Sequence, residues 1–138
     1  MRRDSKDPEW KRVKKEVKDR DNGQCRLSKI LPLRDLLILQ KNAGQFIKTV
    51  DSAHIISVAS NPKIMYESCN IVLLNRYSHT NLDSGRDPID GHEITKEEVE
   101  AWWVKILKGN KKQYNIFTNL IQREKIPFGH IGEEDDII

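Results

Sequence analysis

The sequence predicts an α+β fold, and three observations carry that expectation. Near the start, Trp10, Val13 and Val17 recur at i, i+3 and i+7, the spacing of one apolar stripe on a helix. Near the end, Val99, Trp102, Trp103, Ile106 and Leu107 repeat the same period over a longer stretch. Between them lie two strand-length apolar runs, one leading to His54 and one covering Ile71 to Leu74, both rich in Val and Ile. At 138 residues the chain is expected to form one domain over positions 1–138.

Each element has its own start and stop signals. A helical N-terminal arm over 7–22 begins at Asp7-Pro8, an N-cap carboxylate followed by proline at the first helical position, and ends at Asn22-Gly23. Leu31 to Gly44 reads as a second helix in which Leu33, Leu36 and Leu37, with Gln40 as an optional fourth, fit one helical stripe, against a competing reading of Leu36 to Leu39 as a buried strand. Phe46 to Val50 leads into the first strand, and the thirteen residues Ser57 to Cys69 are too many for a tight hairpin. A polar helix carrying His79 and Asp83 follows the second strand, because a polar pair four residues apart shares a face only at the 3.6-residue period. Gly85 to Gly91 is turn-rich, and Thr95 to Glu98 is a capping box opening the C-terminal helices, about 95–125, in which Tyr114, Phe117, Leu120 and Ile121 point inward. An acidic tail, 131–138, closes the chain.

Composition narrows the function classes. Charged residues make up 33% of the chain and mean hydropathy is -0.68, and no apolar run approaches the roughly 20 residues of a membrane span, so no membrane partner is expected. The opening MRRDSKDPEW has no apolar signal core, and Cys25 and Cys69 form no disulfide framework; both favour a cytoplasmic location. Net charge is only +3, yet basic residues crowd the first twenty positions while Glu133 to Asp136 is wholly acidic. Such asymmetry suits a phosphate-facing surface that includes Lys11, Lys14 and Lys15, although the segment taken alone reads equally well as a solvated helix face.

The chemistry concentrates between Asp51 and Asp83. His54 ends the first strand, while His79 and Asp83 lie one helical turn apart beyond the second. An imidazole and a carboxylate so placed can share a divalent cation, and a further imidazole across the hairpin can take a proton from an attacking water. Taken singly, His54 is an ordinary core histidine and the His79/Asp83 pair an ordinary surface contact.

At these residues the chain resembles the HNH, or ββα-metal, endonuclease family, closest to small phage-encoded members. Ala-His-Ile ends the first strand, Asn70 opens the second, Arg-Tyr-Ser-His79 and Asp83 follow, and Asp87-Pro-Ile-Asp-Gly91 completes the pattern. The resemblance implies a ββα core over about 47–85 with flanking helices. It implies a DNA endonuclease dependent on magnesium, manganese or another divalent ion that nicks one strand per active site. Carried over by position, His54 activates water, Asn70 pins the loop that aims it, and His79 and Asp83 hold the metal. Ala53 stands where many relatives carry a further ligand; Asp51 is the candidate replacement, though strand alternation puts it opposite His54 unless the strand bulges. Arg76 is placed to contact a phosphate or to form a surface salt bridge, and Lys63 to reach a phosphate or to remain solvated.

Many relatives also carry a structural zinc on four cysteines. Here the corresponding positions are Cys25, Ser28, Asn75 and Ser78, so no structural zinc is expected. The alternative is a catalytically weak or inactive protein of the same shape that binds DNA or docks in a phage packaging or replication machine; on either reading a phage-encoded chain would act in the host cytoplasm. Double-strand breaks would need a homodimer or two separate events.

Overall fold

The structure is a computed structural model and describes residues 7–129. Helix α1 (Pro8–Arg20) starts where Asp7 accepts a hydrogen bond from the Glu9 backbone N–H at 2.9 Å, and it buries Trp10, Val13 and Val17. Asn22 and Gly23, with φ of 56° and 66°, turn the chain into the short α2 (Arg26–Ile30) and then α3 (Leu33–Ala43). Strand β1 (Val50–His54) pairs antiparallel with β2 (Ile71–Asn75), in unbroken register from Val50 opposite Asn75 to His54 opposite Ile71. Helix α4 (Arg76–Asp83) leaves directly from β2, capped by the Asn75 side chain. After a turn region, Thr95 and Glu98 form a reciprocal capping box for α5 (Lys96–Leu107), and α6 (Lys111–Arg123) follows. Helices around one small two-stranded antiparallel sheet make this an α+β arrangement.

The sheet is covered on both faces, which explains why every residue of β2 is buried. Ile71 and Leu73 pack on Trp10, Val13 and Val17 of α1. Val72 and Leu74 face the larger core, where Leu27, Leu39, Trp103, Ile106, Leu107 and Phe117 meet. Period-two alternation therefore sends successive β2 side chains into two separate apolar clusters.

A buried ionic hub joins these layers. The Asp21 carboxylate, 3% exposed, accepts hydrogen bonds from Arg20, from Arg26 and from the Leu73 backbone N–H at 3.1 Å. Arg20 also donates to the carbonyls of Ser68 and Ile71, and Arg26 to that of Ile106. The carboxylate thus ties the end of α1 to α2 and β2, and Arg26 extends the link to α5. Burial would raise the Asp21 pKa, but the guanidinium hydrogen bonds win and hold it below the usual carboxylate range.

Two expectations about elements need correction. The Leu31 to Gly44 stretch is helical, but Leu33 and Leu37 are 70% and 56% exposed, while Leu39 and Ala43 are buried and Leu36 is half-buried. With apolar residues at 33, 36, 37, 38 and 39, the run permits more than one stripe, and packing selects 36, 39 and 43. On α5, Val104 is buried at 1% exposure whereas Trp102 is only half-buried, its ring covered by the Lys105 ammonium. The acidic tail and the first six residues, including Arg2, Arg3 and Lys6, lie outside the described residues. Among the described residues no helix is long and apolar enough to cross a membrane.

Candidate functional site

Strand alternation sets up the site. Val50 packs with the α1 cluster, and His54, four residues on along the strand, stacks its ring on Trp10 at 5.4 Å between centroids. Asp51 and Ala53 point the other way, Ala53 into the large core and Asp51 toward α4. The register has no bulge, so Asp51 stays on the face opposite His54. It nevertheless reaches the site through α4. Its carboxylate pairs with Arg76 at 2.9 Å and accepts a hydrogen bond from Nδ1 of His79 at 3.1 Å.

His79 is held at both ring nitrogens, since Nε2 faces the Asp83 carboxylate at 3.1 Å one helical turn away. An imidazole between two carboxylates is stabilised in its charged form. The Asp83 hydrogen bond, opposed by burial and assisted by Asp51, raises the His79 pKa above the ordinary histidine value. Burial acts to raise the Asp51 pKa, but hydrogen bonds from Arg76 and His79 carry the net shift downward.

His54 is positioned by the long loop. Its Nε2 lies 2.8 Å from the backbone carbonyl of Met65, and a carbonyl can only accept. That nitrogen therefore carries a proton, and the neutral ring holds its lone pair on Nδ1. Asn70 secures the strand exit: its Oδ1 accepts from the Ile56 N–H at 2.8 Å, its Nδ2 donates to the Ile56 carbonyl at 3.1 Å, and its own carbonyl accepts from Ile55 N–H. With 1% exposure, Asn70 is a buried clip joining the start of β2 to the two residues after His54.

His54, His79 and Asp83, together with Ser52, Ser57 and Val58, line a single cleft of about 320 Å³. Comparisons with models of known protein families, with curated proteins and with solved structures find no match. The geometry of the cleft therefore carries the functional reading.

The remaining sequence-selected residues fall in different places. Arg76 lies beside the site but is paired bidentately with Asp51. Lys63 forms an ion pair with Glu124 at 3.0 Å and is not among the cleft-lining residues. Lys14 and Lys15 line a separate groove with Lys18, and Lys11 is exposed one turn away on α1.

Cys25, Asn75 and Ser78 converge below the start of α4. Asn75 Nδ2 donates to the Cys25 sulfur at 3.4 Å and to the Ser78 hydroxyl at 3.0 Å, and that hydroxyl donates to the Pro88 carbonyl at 2.8 Å. A hydrogen-bonded knot fastens this corner. Elsewhere, Asp87, Asp90 and His92 are the one group of three His, Cys, Asp or Glu side chains among the described residues whose ligand atoms all lie mutually close. Asp90 and His92 are exposed, and Asp87 and Asp90 accept backbone N–H bonds that shape the turn.

Two partners of the site escaped the sequence reading. Trp10 was assigned only to the core, yet it also backs His54, and the Met65 carbonyl orients that ring. Stacking and carbonyl contacts leave no residue-type signature. No periodicity could have found either one.

Proposed function

We propose that this chain is a metal-dependent DNA endonuclease of the HNH type that hydrolyses a phosphodiester in the cleft between β1 and α4. The observation that carries the reading is the convergence of His54, His79 and Asp83 on one cleft from elements far apart in sequence. His54 is the general base: Met65 holds the proton on Nε2, so Nδ1 takes the proton of the attacking water. Asn70 keeps the strand exit, and hence the imidazole, in place, while Trp10 limits rotation of the ring by stacking on it.

The donor set fits a hard divalent cation. His79 and Asp83 offer one imidazole nitrogen and one carboxylate oxygen at a solvent-open cleft, and magnesium or manganese accepts few protein ligands when water and phosphate supply the rest. Such an ion would stabilise negative charge on the phosphate and on the leaving oxygen. Asp51 faces Nδ1 of His79 and suits the role of holding that ring. Arg76, balanced by Asp51, can turn to a phosphate.

One cleft cuts one strand, so nicking is the expected activity of a monomer. The test is incubation of purified protein with supercoiled plasmid in Mg²⁺, Mn²⁺ or chelator. Nicking that needs metal and falls by about 10²- to 10⁴-fold in a folded His54→Ala protein supports the assignment. A His54→Ala protein that still nicks refutes it.

Ala53 favours a second reading. It is fully buried and offers no ligand atom where relatives of the resembled family often carry one. A binding or docking protein of the same shape, including one in a phage packaging or replication assembly, would bind DNA but leave it uncut whichever metal is added.

A further inference from the structure

A second depression adjoins the cleft. It measures about 490 Å³ and is lined by Lys14, Lys15, Lys18, Gly23, Val50, Ser52 and Leu73. Ser52 also lines the His54 cleft, so the two depressions meet at that serine. The wall supplied by α1 is lysine, the floor is the sheet, and no acidic side chain is among the lining residues.

The neighbouring acids on α1 are already paired, Asp19 with a lysine of the groove itself. Glu16 pairs with Arg12 at 3.5 Å and Asp19 with Lys15 at 2.9 Å. Both pairs are exposed, and such pairs hold their partners weakly, so an incoming phosphate competes with them readily. Lys14 and Lys18 stand one turn apart, about 6 Å along the helix, the scale of one nucleotide step. Lys14 lies 5.7 Å from the Trp10 ring that backs His54. At the far end the Gly23 turn closes against the Lys18 stem, where a side chain would sit 3.9 Å from that residue's Cε.

We propose that this groove is the track for the phosphate backbone of the DNA strand on one side of the scissile linkage, with Lys14, Lys15 and Lys18 neutralising successive phosphates. The proposal rests on the nuclease reading and adds to it where the strand runs.

The test measures binding of a short labelled duplex by fluorescence anisotropy in chelator, over a series of salt concentrations. Removing two phosphate contacts with Lys14→Gln plus Lys18→Gln should weaken binding roughly tenfold or more and reduce the log–log salt slope by about 2. The charge-conserving pair Lys14→Arg plus Lys18→Arg should retain the wild-type slope, and Lys111→Gln plus Lys112→Gln on α6 should change neither quantity. Equal losses for the α1 and α6 pairs, or a loss in the arginine pair as large as in the glutamine pair, would overturn the groove while leaving the nuclease reading intact. A wild-type protein that neither binds nor nicks would remove both.

Discussion

The Asp51 carboxylate accepts a hydrogen bond from Nδ1 of His79 at 3.1 Å, and the opposite nitrogen of the same ring faces Asp83 at 3.1 Å. One imidazole is thereby fixed in direction by a residue from the other face of β1. In a metal site this arrangement makes Asp51 the orienting partner and His79 the ligand. Replacing Asp51 by Asn or Ala should weaken Mn²⁺ binding by about 10- to 100-fold, measured by calorimetry. An unchanged affinity would remove Asp51 from the site.

The same geometry has a pH consequence. The His79 pKa is raised, with the Asp83 hydrogen bond as its largest cause, so the charged ring stabilises the metal-free fold below the unfolded histidine value. That contribution is lost as pH rises through the higher folded value. Metal must displace the proton, so affinity should fall as pH drops through this value. An NMR titration of metal-free protein should place His79 above 6.5, and a value at or below that would contradict the geometry.

Asn70 should be costly to replace. Asn70→Ala leaves the Ile56 N–H and carbonyl without their side-chain partners in a buried setting, a loss of about 2–4 kcal/mol from two such bonds. Chemical denaturation gives the stability, and nicking should fall further than lost stability explains, because the exit of His54 loosens.

The Asp21 hub makes a distinct claim about stability. Asp21→Asn leaves Arg26, 5% exposed, without its ionic partner, and should cost about 3–5 kcal/mol. Since the native Asp21 pKa is depressed, its contribution is present above the unfolded carboxylate value and disappears as pH falls through the native one. The wild type should therefore lose more stability below about pH 4 than the variant does, as read by denaturation at stepped pH.

On α3 two leucines should behave in opposite ways. Leu39, with no exposure, should lose about 2–5 kcal/mol on truncation to Ala. Leu37, 56% exposed, should tolerate Leu37→Lys within about 0.5 kcal/mol. Thermal melts of the two variants decide which face of the helix is inside.

Much of this molecule was legible in its residues because local rules act over one or two turns. Asp7-Pro8, the Thr95/Glu98 box and the periodicities of α1 and α6 each state an element and its buried face without reference to the rest of the chain. The selection of His54, His79 and Asp83 came from residue type and order, and that of Asn70 from the resemblance to the HNH pattern. Where each side chain ends up was a different matter. The stripe on α3 was ambiguous because several apolar residues fit the helical period, and only contact with the rest of the core chose among them.

The site divides in the same way. Alternation along β1 by itself determined that Asp51 and His54 face opposite sides, because side-chain direction in a strand is a local property. That Asp51 still meets His79, that Trp10 backs His54, and that the Met65 carbonyl orients it were decided by tertiary structure alone. Those contacts join residues whose approach depends on how α1, α4 and the long loop pack around one small sheet, and no short-range rule specifies that.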